Sequence, residues 1–131
     1  MKNIEDIKTV ILKYFSENPD IITVYLHGSF AKGCSRADSD IDIGITLVNE
    51  KTEKIRILEI SSDLELKLDR PVDIGIVSPD NIVYAKEVIL NGECIFCRDE
   101  YSRKIREATI LSMYVDFQYA RREVLDAYRN R

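Results

Sequence analysis

Histidine occurs once in this 131-residue chain, at His27, and no apolar run approaches the ~20 residues needed to cross a bilayer. A single histidine sets aside most histidine-based metal centres and Ser-His-Asp catalysis. Cysteine occurs three times, at Cys34, Cys94 and Cys97, an odd count that does not build a disulfide framework. Cys94-Ile95-Phe96-Cys97 has C-x-x-C spacing. A zinc ribbon needs two such pairs, and a thioredoxin-type pair opens a helix, whereas this one sits in an apolar, strand-like run. The expectation is therefore buried, reduced, structural cysteines, packed as small hydrophobes. Internal repeats and low-complexity segments are missing as well. The start, Met1 to Asp6, is polar and acidic and does not read as a signal peptide. The expected compartment is the cytoplasm, with no membrane partner.

What remains is an ordinary globular composition, 45% apolar and 32% charged, of a length that suits one domain. The domain is expected to span 1–131, with a core of about 1–98 and a helix of about 101–129. The formal net charge of −4 argues against a nucleic-acid-binding surface. It is unevenly spread. Residues 1–97 carry 11 Lys and Arg against 17 Asp and Glu, while residues 98–131 carry 8 against 6. A mildly basic tail on an acidic body suggests a protein partner.

Apolar spacing of Ile4, Ile7, Ile11, Leu12 and Phe15 predicts a helix over 3–17, closed by Asn18-Pro19. The β-branched and aromatic run Ile21 to Leu26 predicts a strand. Gly28-Ser29 ends it, and a short helical turn is expected around Phe30 to Gly33. Further strands are expected at Ile41 to Val48 and Pro71 to Val77, with a helix over 51–68 between them. Ser78-Pro79-Asp80 reads as an N-cap with proline in the first turn, opening a helix through Leu90 that Asn91-Gly92 stops. Cys94 to Cys97 forms a short strand, possible at a sheet edge, and a long helix follows. Helices alternating with strands predict an α/β layered fold. The pattern leaves open the direction in which the first two strands pair.

The chemistry concentrates in Leu26 to Ile45, LHGSFAKGCSRADSDIDIGI. Asp40 and Asp42 are two apart on a predicted strand and share one face, with Ile41, Ile43 and Ile45 on the other. Two carboxylates forced together repel unless a cation lies between them. Taken alone, Asp-x-Asp fits equally a solvated pair at a strand start. Three features shift the balance. Asp73 sits in VDIGIV, a near copy of IDIGIT, so a third carboxylate can reach the same cleft. Three acidic donors suit Mg²⁺, commonly held by few carboxylates plus substrate phosphates. Gly28-Ser29 ends a strand and opens a helical turn, a natural phosphate cradle of backbone N–H groups. Lys32 and Arg36 lie between and can offset triphosphate charge, although a solvated loop Arg36 fits as well. Together these describe metal-assisted phosphoryl or nucleotidyl transfer.

This pattern resembles the DNA polymerase β-like nucleotidyltransferase superfamily. The carriers are Gly28-Ser29, ten residues, then Asp40-x-Asp42, with Asp73 on its own strand; Ala31, Gly33 and Ser39 complete G-S-x-A-x-G…S-D-x-D. The short length, without an acceptor-binding domain, narrows the resemblance to the minimal nucleotidyltransferases. These are small prokaryotic proteins paired with HEPN-domain RNase toxins in a type VII-like toxin–antitoxin system. The resemblance implies a small mixed sheet flanked by helices. It also implies an antitoxin that uses ATP and Mg²⁺, with two ions expected, to transfer AMP to a tyrosine of its toxin, in hetero-oligomeric association with it. By the same resemblance Asp40 and Asp42 bind both metals and the triphosphate. Asp73 binds the second metal and orients or helps deprotonate the incoming hydroxyl, and Gly28 and Ser29 hold the β- and γ-phosphates, with Lys32, Gly33 and Ser39 supporting. Lys32 departs from the arginine common in relatives and offers a point charge without a bidentate fork. Two other functions remain open: a small-molecule nucleotidyltransferase, and a non-catalytic antitoxin acting by binding alone.

His27 is read as structural. Along the last helix, Ile105, Leu111, Val115, Tyr119, Leu125 and Tyr128, with Tyr114 and Phe117, are read either as core packing or as a docking face for the toxin. Arg121, Arg122, Arg129 and Arg131 add a basic rim.

Overall fold

Asn3 opens the first helix: its side-chain oxygen accepts from the Asp6 N–H at 2.9 Å, and Glu5 and Asp6 complement the helix dipole. In the computed structural model, which describes residues 3–28, 40–49 and 54–130, this helix is α1, Ile4–Ser16. Ile7, Ile11, Tyr14 and Phe15 are buried along one stripe, whereas Leu12 is exposed. Asn18 ends the helix by donating from its amide to the Tyr14 carbonyl at 2.7 Å. The Arg98 guanidinium then gathers carbonyls that the helix leaves unpaired, donating to Phe15 at 2.7 Å and to Ser16 at 3.3 Å.

The remaining elements are β1 (Ile21–His27), β2 (Ile41–Leu47), α2 (Lys54–Leu68), β3 (Val72–Ile76), α3 (Ile82–Asn91), β4 (Glu93–Cys97) and α4 (Glu100–Arg129). The sheet runs β3-β2-β1-β4. β1 pairs antiparallel with both β2 and β4, and β2 pairs parallel with β3 across the α2 crossover. The sheet is therefore mixed, and β1 and β2, whose direction the pattern left open, are antiparallel. β4 lies at an edge, as expected. The helical turn expected at 30–33 and Cys34 lie outside the described residues.

Strand alternation sends side chains to two covered faces. On one, Val24, Leu26, Ile41, Ile43 and Ile45 pack under α1 and α2, against Ile7, Ile11, Phe15, Ile60 and Leu64. On the other, Tyr25 and Val77 pack with Ala85, Val88 and Ile110 from α3 and α4. Helices on both faces of a small mixed sheet make an α/β layered fold, with a long C-terminal helix.

Two details depart from the sequence expectation, and a third bears on a choice that the sequence left open. The Ser78 hydroxyl makes no cap; a 3₁₀ turn, Pro79–Asn81, intervenes and α3 begins only at Ile82. Cys94 and Cys97 are free thiols but only half-buried. In α4, Ile110 is the residue fully buried among those described, whereas Ile105, Val115, Tyr119, Leu125 and Tyr128 are exposed.

Candidate active site

Pairing places three polar side chains in one row across the sheet. His27, at the end of β1, stands opposite Asp42 near the start of β2. Asp42 stands opposite Asp73 near the start of β3. Antiparallel pairing brings the end of β1 to the beginnings of β2 and β3, so the row collects at one end of the sheet. The Ile41 N–H donates to the Pro71 carbonyl at 3.0 Å and holds those two strand starts together. Ile41 and Ile43, which flank Asp42, are fully buried on the opposite face. Asp40 lies just ahead of β2 and is exposed.

Gly28 closes the row beside Asp42. Its φ of +71° is a left-handed conformation that side chains disfavour, and a Cβ there would collide with the Asp42 carboxylate oxygen. Glycine is thus required twice, for the turn and for the close approach. Ser29, Ala31, Lys32, Gly33, Arg36 and Ser39 lie outside the described residues.

The electrostatics follow from this crowding. Burial raises the Asp42 pKa, and Asp73 and Asp40 raise it further, while His27 opposes the shift. Burial lowers the His27 pKa against the pull of Asp42, Asp73 and Glu87. Among the described residues, no Lys or Arg forms an ion pair with Asp40, Asp42 or Asp73. Nor do three ligating side chains converge there into a closed metal cluster. Adjacent carboxylates without a paired Lys or Arg among the described residues are hard oxygen donors that could contribute to a Mg²⁺ site if phosphates supplied the remaining oxygens.

One further side chain borders the row, and the sequence reading did not single it out. Tyr84 of α3 brings its hydroxyl to 2.9 Å from His27 Nε2, with the two rings edge-on at a centroid distance of 5.4 Å. His27, read from sequence as structural, therefore belongs to the neighbourhood of the carboxylates. The signal for Tyr84 was present in the two Asp-Ile-Gly-Ile copies, whose glycines leave bare backbone for a ring to cover.

The surroundings also match known proteins. A curated relative, the protein adenylyltransferase MntA of Shewanella oneidensis, is 28% identical over 117 residues, spanning 88% of this chain and 83% of its own. Two solved structures share the fold. A toxin–antitoxin complex with AMP-PNP gives a TM-score of 0.81 at 24% identity, over 93% of this chain and 98% of the other. A tri-AMPylated Shewanella oneidensis HEPN toxin in complex with MNT antitoxin gives 0.78 at 22%, over 97% and 99%. The polymerase β nucleotidyltransferase family matches residues 9–101. That segment contains all four strands and the whole acidic row, and the chain belongs to the polymerase β nucleotidyltransferase family.

Proposed function

We propose that the protein is the antitoxin of a HEPN/MNT toxin–antitoxin pair, a Mg²⁺-dependent adenylyltransferase that moves AMP from ATP to a tyrosine hydroxyl of its HEPN RNase toxin. The observation that carries this reading is the in-register pair Asp42 and Asp73, uncompensated among the described residues and closed on one side by Gly28. Support comes from the relatives: MntA is a protein adenylyltransferase, and the two solved complexes hold an ATP analogue or an AMPylated HEPN toxin. Free thiols at Cys94 and Cys97 suit a reducing cytoplasm. No described helix is long and apolar enough to cross a membrane.

In this reading the toxin's phenolic oxygen attacks the α-phosphorus of ATP. The bond from that phosphorus to the bridging oxygen breaks, pyrophosphate leaves, and the phenolic proton passes to solvent, a transfer that Asp73 would assist. Asp40, Asp42 and Asp73 would hold Mg²⁺, which supplies charge neutralisation for the developing phosphate oxyanions. Asp73 would also orient the acceptor hydroxyl. Gly28 and Ser29 would carry the β- and γ-phosphates, with Lys32, Gly33 and Ser39 in support. The whole chain, 1–131, would act as one minimal domain that borrows its acceptor from the toxin.

The test is to incubate the purified protein with its HEPN partner, ATP and Mg²⁺ and to weigh both chains intact. AMP increments on the partner, abolished by EDTA, are the expected result. Complex formation without any increment would leave an antitoxin that acts by binding alone and would overturn the catalytic reading.

A further inference from the structure

The two Asp-Ile-Gly-Ile copies lie side by side in parallel strands, so Asp42 faces Asp73 and Gly44 faces Gly75. Each glycine is two residues beyond its aspartate and therefore on the same sheet face. The aspartates stand at the open end of that face. The glycines lie further in, under α3, and form a slot without side chains. Tyr84 fills it. A Cβ on Gly75 would collide with the Tyr84 hydroxyl and ring, and a Cβ on Gly44 would lie 3.4 Å from the hydroxyl. The slot fixes the ring plane and so aims the hydroxyl along the face towards the carboxylates. What it meets is His27 Nε2, at 2.9 Å, and His27 stands directly opposite Asp42.

We propose that Tyr84 and His27 are a positioning pair for the metal-binding carboxylates: the Tyr84 hydroxyl holds the His27 ring as a fixed side wall against which Asp42 is set beside Asp73. The inference rests on the reading of Asp42 and Asp73 as cation ligands. Neither Tyr84 nor His27 ligates the ion. Their work is preorganisation. Two like charges crowded in one row tend to splay apart, and a wall with one ring nitrogen tied down removes one direction of escape. Groups that orient metal ligands from outside the coordination sphere typically change metal affinity by 10–100-fold.

The pair has a specific signature. Tyr84→Phe keeps the ring in its glycine slot and deletes only the oxygen. His27→Leu removes the ring nitrogen that Tyr84 meets and leaves Tyr84 intact. If the hydroxyl acts through the imidazole, either change weakens the ion to a similar extent, and the second adds little once the first is made.

The experiment uses the full chain with AMP-PNP and titrates Mn²⁺, reading free ion by electron paramagnetic resonance and fold by thermal melting. The expected result is a Mn²⁺ affinity roughly tenfold weaker in Tyr84→Phe, a cooperative melt lowered by only a few degrees as loss of one hydrogen bond requires, and a His27→Leu/Tyr84→Phe double variant no weaker than His27→Leu. A Tyr84→Phe affinity within twofold of wild type, or full additivity in the double variant, overturns the positioning role. Failure of the wild-type protein itself to bind Mn²⁺ overturns the cation site, and the positioning role with it. His27→Gln, which keeps a hydrogen-bonding group opposite Tyr84, is expected to recover part of the affinity lost in His27→Leu; no recovery counts against the pair.

Discussion

Asp42 is held where its charge is unwelcome. Burial and the neighbouring Asp73 and Asp40 raise its pKa from an ordinary value of 3.8. The protonated form is thus the better tolerated one in the folded chain. Stability conferred on that form is complete below the unfolded pKa and is lost as pH rises through the raised folded value. Asparagine carries no charge at any pH and escapes that loss. Without metal at pH 7, Asp42→Asn should therefore melt above wild type, and the two should converge near pH 3. With ATP, Mg²⁺ and toxin, the same variant should lose transfer activity on the order of 10³-fold if Asp42 is the metal ligand proposed above. Paired melting curves and intact-mass assays check both halves; a variant melting at or below wild type at pH 7 would show that the carboxylate row is not strained. At this scale the sequence was legible for the gathering of Asp42, Asp73 and Gly28, because the repeated Asp-Ile-Gly-Ile pattern and the strand-ending glycine are local signals. It was not legible for His27, whose nearness to Asp42 depends on an antiparallel pairing that alternation alone leaves undetermined.

At the scale of elements, α1 and α2 are joined through Tyr14, buried in α1, which donates its hydroxyl to Asp63 of α2 at 2.8 Å. Burial, then the Asp63 bond and charge, push the phenol from 10.0 up to about 12. A raised pKa means stability that is full below pH 10 and drains away as pH rises towards about 12. Tyr14→Phe should cost about 1 kcal/mol at neutral pH, the net worth of one hydrogen bond, and should soften the alkaline decline in that window. Urea titrations at pH 7.5 and pH 11 measure both; an undiminished alkaline decline in the variant would assign it to other tyrosines. Elements were largely legible because their signals are local. Periodicity marks α1 and α2, and β-branched runs mark β1, β2 and β3. The start of α3 was not, because the Ser78-Pro79-Asp80 signal suits a 3₁₀ turn as well as a helical first turn, and only the surrounding packing selects between them.

At the scale of the molecule, α4 stands apart. Its 30 residues extend ~45 Å, yet it is anchored mainly in its first half, through Ile110 and through Glu107, which accepts from Tyr25 at 2.9 Å. Residues 119–130 are all exposed. Ending the chain after Gln118 should therefore shift the melting temperature by less than roughly 3 °C, since exposed positions contribute little to stability. A larger drop in a calorimetric scan would mean that the distal turns brace the body. The sequence could not decide how this helix is used. Apolar residues on nearly every turn are compatible with a packed stripe and with an uncovered one, and the difference lies in where the sheet ends.

The glycine slot beneath Tyr84 has a consequence for folding fidelity. Side-chain alternation guards against a one-residue error between β2 and β3, since it would turn isoleucines outward. It guards poorly against a two-residue error, which would still set isoleucine beside isoleucine: Ile41 would meet Ile74 and Ile43 would meet Ile76. Such a molecule would keep much of its core while separating Asp42 from Asp73. Tyr84 lies across Gly44 and Gly75 only when the two copies are level, so its ring gauges whether the strands have been threaded to the correct notch. The same residue that borders the carboxylates thereby makes a misaligned sheet costly to close.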